Sequence, residues 1–582
     1  MNYSSVTGKN WLFKKFNSSD VYKLVEDHSL TEIVAKLISI RKKNIDNINL
    51  FLNPTIKNLL PNPLKLKDMN KAVERSFDAI SKNETLGIFG DYDVDGATST
   101  ALLAKYFSEI KQNFHIYVPD RKKEGYGPTI EGFNNLIKLD TKVIFTVDCG
   151  TLSFDPIENA KNKNVDVIVI DHHQSEIKLP KAHAIINPNR LDDTSDLKYL
   201  CAAGVCFMYL IALNKKLRDT NWFKLNNIKE PNILNYLDLV SLGTVCDLVP
   251  LIGLNRAFVK QGLKVMKKRT NLGLKTLYDL NNKKSEPSTY DLGFVIGPRI
   301  NAGGRVGKSS HGSELLISDD PSKSFKLATE LNKYNEERKT IEVMLSEKIF
   351  SSIKKYHNHP VLVLAGTNWH EGIIGIIAAR IKEKYNKPTI LISITSGIGK
   401  GSARSIVGFD IGSNIIKAAQ LKIIIKGGGH KMAGGFSIEE KNIDKFRDFM
   451  IKNFEKSKPN ISDQSKLYID TTIAPSAINE DFFNDINSLS PFGSGNSEPR
   501  FIVENIKIIK SFLVGKNHIR SILCGSDGSS FNTLTWNAVN TPLEKILLKD
   551  KKKKFNIAGL IKLNEWSGQK KIEFIIEDIS AA

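Results

Sequence analysis

The chain has 582 residues, of which 41% are hydrophobic and 25% charged, with a formal net charge of +20; this excludes a disordered or fibrous chain, allows roughly three to five globular domains, and favours polyanionic partners such as nucleic acid. Five cysteines without a C-x-x-C pair, no signal-peptide core and no apolar run of bilayer length lead us to expect a soluble cytoplasmic protein with no membrane contact.

The opening stretch "MNYSSVTGKNWLFKKF" carries aromatics among basic residues and no long apolar block, so it reads as an extension that packs on the body. From about residue 85 short apolar runs alternate with helix-length segments: "TLGIF", "FHIYV", "KVIFTV", "VDVIVI" and the more mixed "AHAII". That alternation predicts a parallel sheet covered on both faces. Such sheets bind ligands at the carboxyl ends of their strands, near the switch in strand order. The residues that follow the first four runs are "GDYDVDG", "PDRKKEGYG", "DCG" and "DHHQ", so polar groups gather at one edge. Further on, "SKSFKLATELNKYNEERKTIEVMLSEKIFSSIKKY" has apolar residues at mixed three and four spacing without Gly or Pro, which predicts one long connecting helix. "PVLVLA", "PTILIS" and a helix near "NWHEGIIGIIAARIKEKY" predict a smaller α/β domain rich in glycine loops. From about 461 alternating strands between Gly/Asn/Asp turns predict a small β-barrel.

"GDYDVDG" (90–96) resembles the start of an EF-hand loop, but position twelve counted from Asp91 is Leu102 where a bidentate glutamate is required, and a strand precedes it. Taken alone, "DYD" suits a turn or helix cap and a His-His pair suits a structural role. Taken together, Asp91, Asp93, Asp95, Asp148, Asp171, His172, His173 and the later Asp247 in "GTVCDLVPL" put many carboxylates at one edge. They would repel one another unless cations neutralise them. Hard oxygen donors with one or two imidazoles suit Mn²⁺ or Mg²⁺ better than a thiolate-rich zinc site. Two such ions bridged by one carboxylate form a clamp for in-line displacement at phosphorus.

In order, "DYDVDG", "VDCG", "DHH" and "GTVCDLVPL" resemble the four metal motifs of the DHH phosphoesterase superfamily. Together with "VPDRKKEGYG", "GPRINAGGR", "LNKYNEERK", "WHEGIIGIIAARI", "KGSARS", "GGGHKMAGGF" and "PFGSGNSEPRF", the chain is similar to the bacterial RecJ exonucleases over nearly all of its length. The resemblance implies an α/β fold in which a parallel-sheet DHH catalytic domain (46–320) follows an N-terminal extension (1–45) and is joined by a long helix (321–357) to a smaller α/β DHHA1-type domain (358–460), with a C-terminal OB-type β-barrel (461–582). It implies a 5′→3′ exonuclease on single-stranded DNA in repair and recombination, using two Mn²⁺ or Mg²⁺ ions. Asp95, Asp148, His172 and Asp247 would hold one ion, and Asp93 and the bridging Asp148 the other, with Asp91 as its completing ligand. His173 stays open between metal ligand, support for its neighbour and a hydrogen bond to the scissile phosphate. Phe89 stands where the phosphatases of the superfamily carry a histidine.

Glycines let backbone amides approach a phosphate, so "NWHEGIIG" and "GGGHKMAGG" are expected as oxyanion platforms, although glycines also simply permit tight turns. The resemblance makes Ser402 and Arg404 part of a grip on the nucleic acid and its 5′ phosphate. Arg121, Arg299, Arg305 and Asn301 would contact backbone phosphates, and His370 and His430 either contact substrate or stabilise loops. In the barrel Phe531, Trp536 and Trp566 could stack on bases, but aromatics there are more often core. Expected partners are single-stranded DNA, a helicase and a single-strand-binding protein, with the enzyme a monomer. Two rivals stand beside this reading: a phosphodiesterase for short oligonucleotides or cyclic dinucleotides, and a non-catalytic DNA-binding scaffold.

Overall fold

The structure is a computed structural model that describes residues 5–41, 47–121, 123–353, 356, 358–457, 466–549, 553–566 and 569–581, with backbone alone at 565, 566 and 569. The expected domain limits at 45/46, 357/358 and 460/461 fall at or beside residues outside that set, as does the side chain of Trp566. The chain forms two compact units. One comprises Met1–Gly297, Gly312–Ala328 and Ser465–Ala582, the other Pro298–His311 and Thr329–Gln464.

In the first unit, strand β1 (Asn10–Phe13) pairs in parallel with Lys466–Ile469. The helices Ser18–His28 and Glu32–Arg41 bury Val21, Leu24, Val34, Leu37 and Ile38 in one core with Phe501 and Val503. Polar anchors reinforce this: the buried Asp578 accepts from Ser5 Oγ (2.5 Å), Thr7 Oγ1 (2.9 Å) and Trp11 Nε1 (2.7 Å). Asp470 likewise pairs with Lys14 (3.1 Å) and Arg41 (3.2 Å).

The sheet that carries the acidic motifs consists of β2 (Leu86–Gly90), β3 (Phe114–Tyr117), β4 (Val143–Val147), β5 (Asp166–Ile170) and β6 (Ala184–Ile186). All neighbours are parallel, in the order β3-β2-β4-β5-β6. Every residue of β2, β4 and β6 is buried. That is why these runs are apolar at nearly every position, with Thr146 the polar exception, rather than alternating. Strand order reverses between β2 and β4, the place at whose carboxyl ends open α/β sheets bind ligands.

The second unit holds β7 (Leu362–Thr367), β8 (Thr389–Thr395), β9 (Ile398–Arg404), β10 (Lys426–His430) and β11 (Ala433–Glu439), in the order β10-β11-β9-β8-β7. Only β7 and β8 are parallel, linked by the helix Glu371–Tyr385. Within this unit the long helix packs Leu345, Ile349 and Ile353 against Ile373, Ile377 and Ile381; it runs unbroken from Pro321 to Ile353, as its periodicity predicts. One expectation is corrected here. The glycines of "GGGHKMAGG" lie in the paired strands β10 and β11 and not in a loop. A Cβ on Gly427 would fall 2.7 Å from Phe436 Cβ, and one on Gly434 2.5 Å from Ile415 Cδ1, so close packing excludes side chains there.

The C-terminal segment, part of the first unit, adds β12 (Lys466–Ile469), β13 (Thr471–Thr472), β14 (Phe501–Val514), β15 (His518–Cys524), β16 (Ser530–Thr535), β17 (Phe555–Trp566) and β18 (Gln569–Ala581). The order β13-β14-β15-β16-β18-β17, with β14 also paired to β17, closes the expected barrel. Phe531 is core, whereas Trp536 is exposed.

Candidate metal centre

Register alone brings three aspartates level. Gly90 pairs with Val147 and Val147 with Ile170, so the next residues, Asp91, Asp148 and Asp171, stand in one row. Backbone bonds extend past the strands to hold them: Asp91 N to Val147 O (3.2 Å), Asp148 N to Ile170 O (3.0 Å) and Asp171 N to Ile186 O (3.0 Å). Asp148 has φ +61°, an uncommon left-handed backbone at the point where β4 turns away.

The chain leaving β2 enters the helix Val94–Glu109. Asp93 caps it, its Oδ1 accepting from the amides of Asp95 (2.9 Å) and Gly96 (3.1 Å). Asp95 faces the start of the helix Ala202–Asp219 and accepts from the amides of Ala202 (2.7 Å) and Ala203 (2.9 Å). That helix end favours the anion. Asp247 ends the helix Leu237–Cys246.

These elements deliver Asp91, Asp93, Asp95, Asp148, His172, His173 and Asp247 to one place. His172 Nε2 lies 3.3 Å from Asp148 Oδ1, 3.6 Å from Asp247 Oδ2 and 3.7 Å from Asp95 Oδ2. Among the described residues, donor atoms within 4.8 Å of one another form three groups: Asp95, His172 and Asp247; Asp91, Asp93 and Asp148; and Asp148, His172 and His173. Asp148 thus belongs to two of them. Asp91 Oδ1, Asp148 Oδ1 and His172 Nε2 are buried and accept or donate no hydrogen bond. Buried polar atoms are ordinarily paired. Hard oxygens and an imidazole left open around a common point fit Mn²⁺ or Mg²⁺.

The electrostatics agree. Burial, then the charge of Asp93, pushes the carboxyls of Asp91 and Asp148 well above their ordinary range. Burial raises Asp95 as well, against the opposing pull of His172. Burial followed by Asp95 and Asp93 pushes Asp247 up to about 9. This is the signature of negative charge assembled for a cation.

Asp171 behaves differently although its sequence context matches the others. Its Oδ2 accepts from Thr151 N (3.1 Å) and Oγ1 (2.6 Å), and its Oδ1 from His172 N (2.7 Å), His173 N (3.2 Å) and His173 Nδ1 (2.8 Å). Burial acts to raise its pKa, but His173 and Thr151 hold it below the usual range. Oδ1 is thus taken up in orienting the two histidines, and Oδ2 in holding Thr151. Sequence reading missed the remaining supports. Tyr126 Oη donates to Asp148 O (3.0 Å) and meets His173 Nδ1 at 3.2 Å, Asn187 Nδ2 donates to His173 O (2.9 Å), and Asn189 Nδ2 donates to His172 O (2.5 Å). Tyr126 follows β3 in "KKEGYG", a strand-end segment, which was the available signal.

The residues expected on DNA fall in both units. Arg121 stacks over the Tyr92 ring at 5.1 Å, and its charge acts on Asp91. In the second unit Arg305 Nη1 donates to Gly372 O (3.0 Å), and His370 caps the helix that Gly372 begins to wind. A Cβ on Gly375, one turn on, would meet Ser402 Oγ at 2.8 Å and Arg404 Nη2 at 3.1 Å. Arg305, His370, Ser402 and Arg404 therefore surround the first turns of one helix. His430 lies in the same cross-strand row as Ala433 and Arg404. Arg299 Nε donates to Asn332 Oδ1 (2.9 Å), and Asn301 lies in the same helix, Gly297–Val306.

Comparison with known proteins is decisive for the family. Residues 85–244 match the DHH family N-terminal domain, 358–456 the DHHA1 domain and 469–578 the RecJ OB domain. The single-stranded-DNA-specific exonuclease RecJ of Haemophilus influenzae is 33% identical over 556 residues, covering 93% of this chain and 95% of its own. The chain belongs to the RecJ family. RecJ of Bacillus subtilis is 29% identical, covering 98% of this chain and 71% of its own. A crystal structure of Thermus thermophilus RecJ in complex with Mn²⁺ superimposes with a TM-score of 0.81 at 25% identity, covering 98% of this chain and 79% of that one. The parallel sheet, the second α/β domain and the barrel are thus the RecJ fold.

Proposed function

We propose that this chain is a metal-dependent exonuclease specific for single-stranded DNA, degrading it 5′→3′ to 5′-mononucleotides in repair and recombination. One observation carries the reading: Asp91, Asp93, Asp95, Asp148, His172 and Asp247, spread over more than 150 positions, converge with three buried donor atoms left open. In this reading Asp95, Asp148, His172 and Asp247 hold one Mn²⁺ or Mg²⁺ ion, and Asp91, Asp93 and the shared Asp148 hold the second. Bound there, the pair supplies an activated water on one side of the phosphorus and charge stabilisation on the other.

The chain's own groups do the rest. Asp171 fixes the ring of His173 through Nδ1 and the backbone of both histidines, so His172 Nε2 stays aimed at the carboxylates. Burial opposes the positive charge on His173, but the Asp171 contact outweighs it and raises the pKa to about 9. The ring that Asp171 holds through Nδ1 is thereby suited to hydrogen-bond a phosphate oxygen. Arg121, Arg299, Asn301, Arg305, His370 and His430 hold backbone phosphates, and Ser402 with Arg404 holds the 5′ phosphate. Contacts to phosphate select a single strand by shape without reading bases.

The same reading assigns the extension to 1–45, the catalytic domain to 46–320, the connecting helix to 321–357, the DHHA1-type domain to 358–460 and the barrel to 461–582. It places the enzyme in the cytoplasm as a monomer supplied with substrate by a helicase and a single-strand-binding protein. The test is a time course with Mn²⁺ on single strands labelled at either end. Mononucleotides released first from the 5′ end are expected; release from the 3′ end alone, or equal cutting of blunt duplexes, would refute the proposal.

A further inference from the structure

The glycine-rich turn of "PFGSGNSEPRF" lies in the C-terminal segment, far in sequence from the acidic cluster. Gly493 and Asn496 pair with each other (N to O 2.9 Å and 3.1 Å), turning Ser494 and Gly495 outward at the tip. Ser494 O accepts from the amide of Leu251 at 2.7 Å. Leu251 is only four residues beyond Asp247, across Leu248, whose φ of +59° is an uncommon backbone for leucine, and Pro250, whose ring fixes its own φ.

The contact is close on every side. A Cβ on Gly493 would come within 2.8 Å of Leu251 Cδ1, and one on Gly495, itself at φ +73°, within 3.1 Å of Pro250 Cβ. Behind it the next helix, Gly253–Lys267, clamps the base of the turn. The buried Arg256 donates Nη2 to Leu489 O (2.7 Å) and Ser490 O (2.9 Å) and Nη1 to Pro491 O (3.3 Å). Asn496 Nδ2 reaches Leu489 O and Pro491 O, both at 2.9 Å, and Asn255 Nδ2 donates to Pro250 O at 3.0 Å. The loop that follows Asp247 is therefore bonded on one side to its own helix and on the other to the C-terminal turn.

We infer that the 493–496 turn is a positioning element for the candidate metal centre: it fixes the 248–252 loop and thereby the place of the Asp247 carboxylate. This rests on the reading of Asp247 as a metal ligand. Supports of a ligand typically change metal affinity or activity by about 10- to 100-fold when removed.

The experiment titrates Mn²⁺ into the full-length, metal-stripped protein without DNA, following free Mn²⁺ by electron paramagnetic resonance, and measures kcat and KM on a single-stranded oligonucleotide. Wild type, Gly493→Val, Gly495→Ala and the control Leu534→Ala, a buried residue of β16, are compared. Gly493→Val is expected to weaken one of two Mn²⁺ sites about 10-fold and to lower kcat with KM unchanged, while Leu534→Ala leaves both sites as in wild type. Should Gly493→Val not fold, Gly495→Ala decides by the same readout. Folded turn variants with both Mn²⁺ sites intact, or equal weakening in Leu534→Ala, would overturn the inference alone. A wild type that binds no Mn²⁺ would overturn the metal reading, and the inference with it.

Discussion

Asp238 sits 2% exposed in the first turn of the helix that ends at Asp247. Its Oδ1 accepts from the neighbouring amide of Leu239 (2.7 Å). Burial pushes its carboxyl from 3.8 up to about 7, against a weaker opposing pull from that amide and from Lys105. The folded chain thus keeps a proton that the unfolded chain loses above about pH 4. Stability from this group is full below the unfolded value and is lost as pH rises through about 7. A difference of about three pKa units corresponds to ~4 kcal/mol in total, of which ~3 kcal/mol falls between pH 5 and pH 8. Asp238→Asn keeps the shape and the acceptor but removes the charge, so its stability lacks this dependence. Urea unfolding of both proteins from pH 5 to pH 8 should show the variant gaining ~3 kcal/mol on wild type across the range. A difference that stays constant with pH would refute the assignment of a buried, protonated Asp238.

Asp148→Asn removes the carboxylate common to two donor groups and should abolish cleavage while single-strand binding survives; filter binding beside a nuclease assay checks both. Asp171→Asn takes the charge from an acceptor of five hydrogen bonds, and kcat should fall about 10- to 100-fold with Mn²⁺ still bound. Asp578→Ala strands three donors from the N-terminal segment, one of them the buried Trp11 Nε1. It should cost at least ~2 kcal/mol and make limited proteolysis near residues 5–14 faster.

The central strands of the sheet were legible because β2 and β4 are short runs buried on both faces, which favours apolar side chains almost throughout. The site was legible for the same reason: each polar break marks a carboxyl end, and parallel register makes those ends level. Asp171 shows the limit, since its motif resembles the others, yet Thr151 occupies one of its oxygens and the two histidines the other, which makes it a support. The glycines of β10 and β11 punctuate the sequence as a loop would, yet they serve the close approach of Ile415 and Phe436. The N-terminal segment carried no readable pattern of its attachment, because Trp11 and Asp578 meet across 567 positions. The hold of the 493–496 turn on the 248–252 loop is equally non-local, and no period or spacing in either stretch announces it.

The account rests on two divalent ions sharing Asp148. Anomalous diffraction from crystals soaked in Mn²⁺ tests it most directly: two peaks are expected, one among Asp95, Asp148, His172 and Asp247 and one among Asp91, Asp93 and Asp148. A single peak, or none within bonding distance of Asp148, would contradict it.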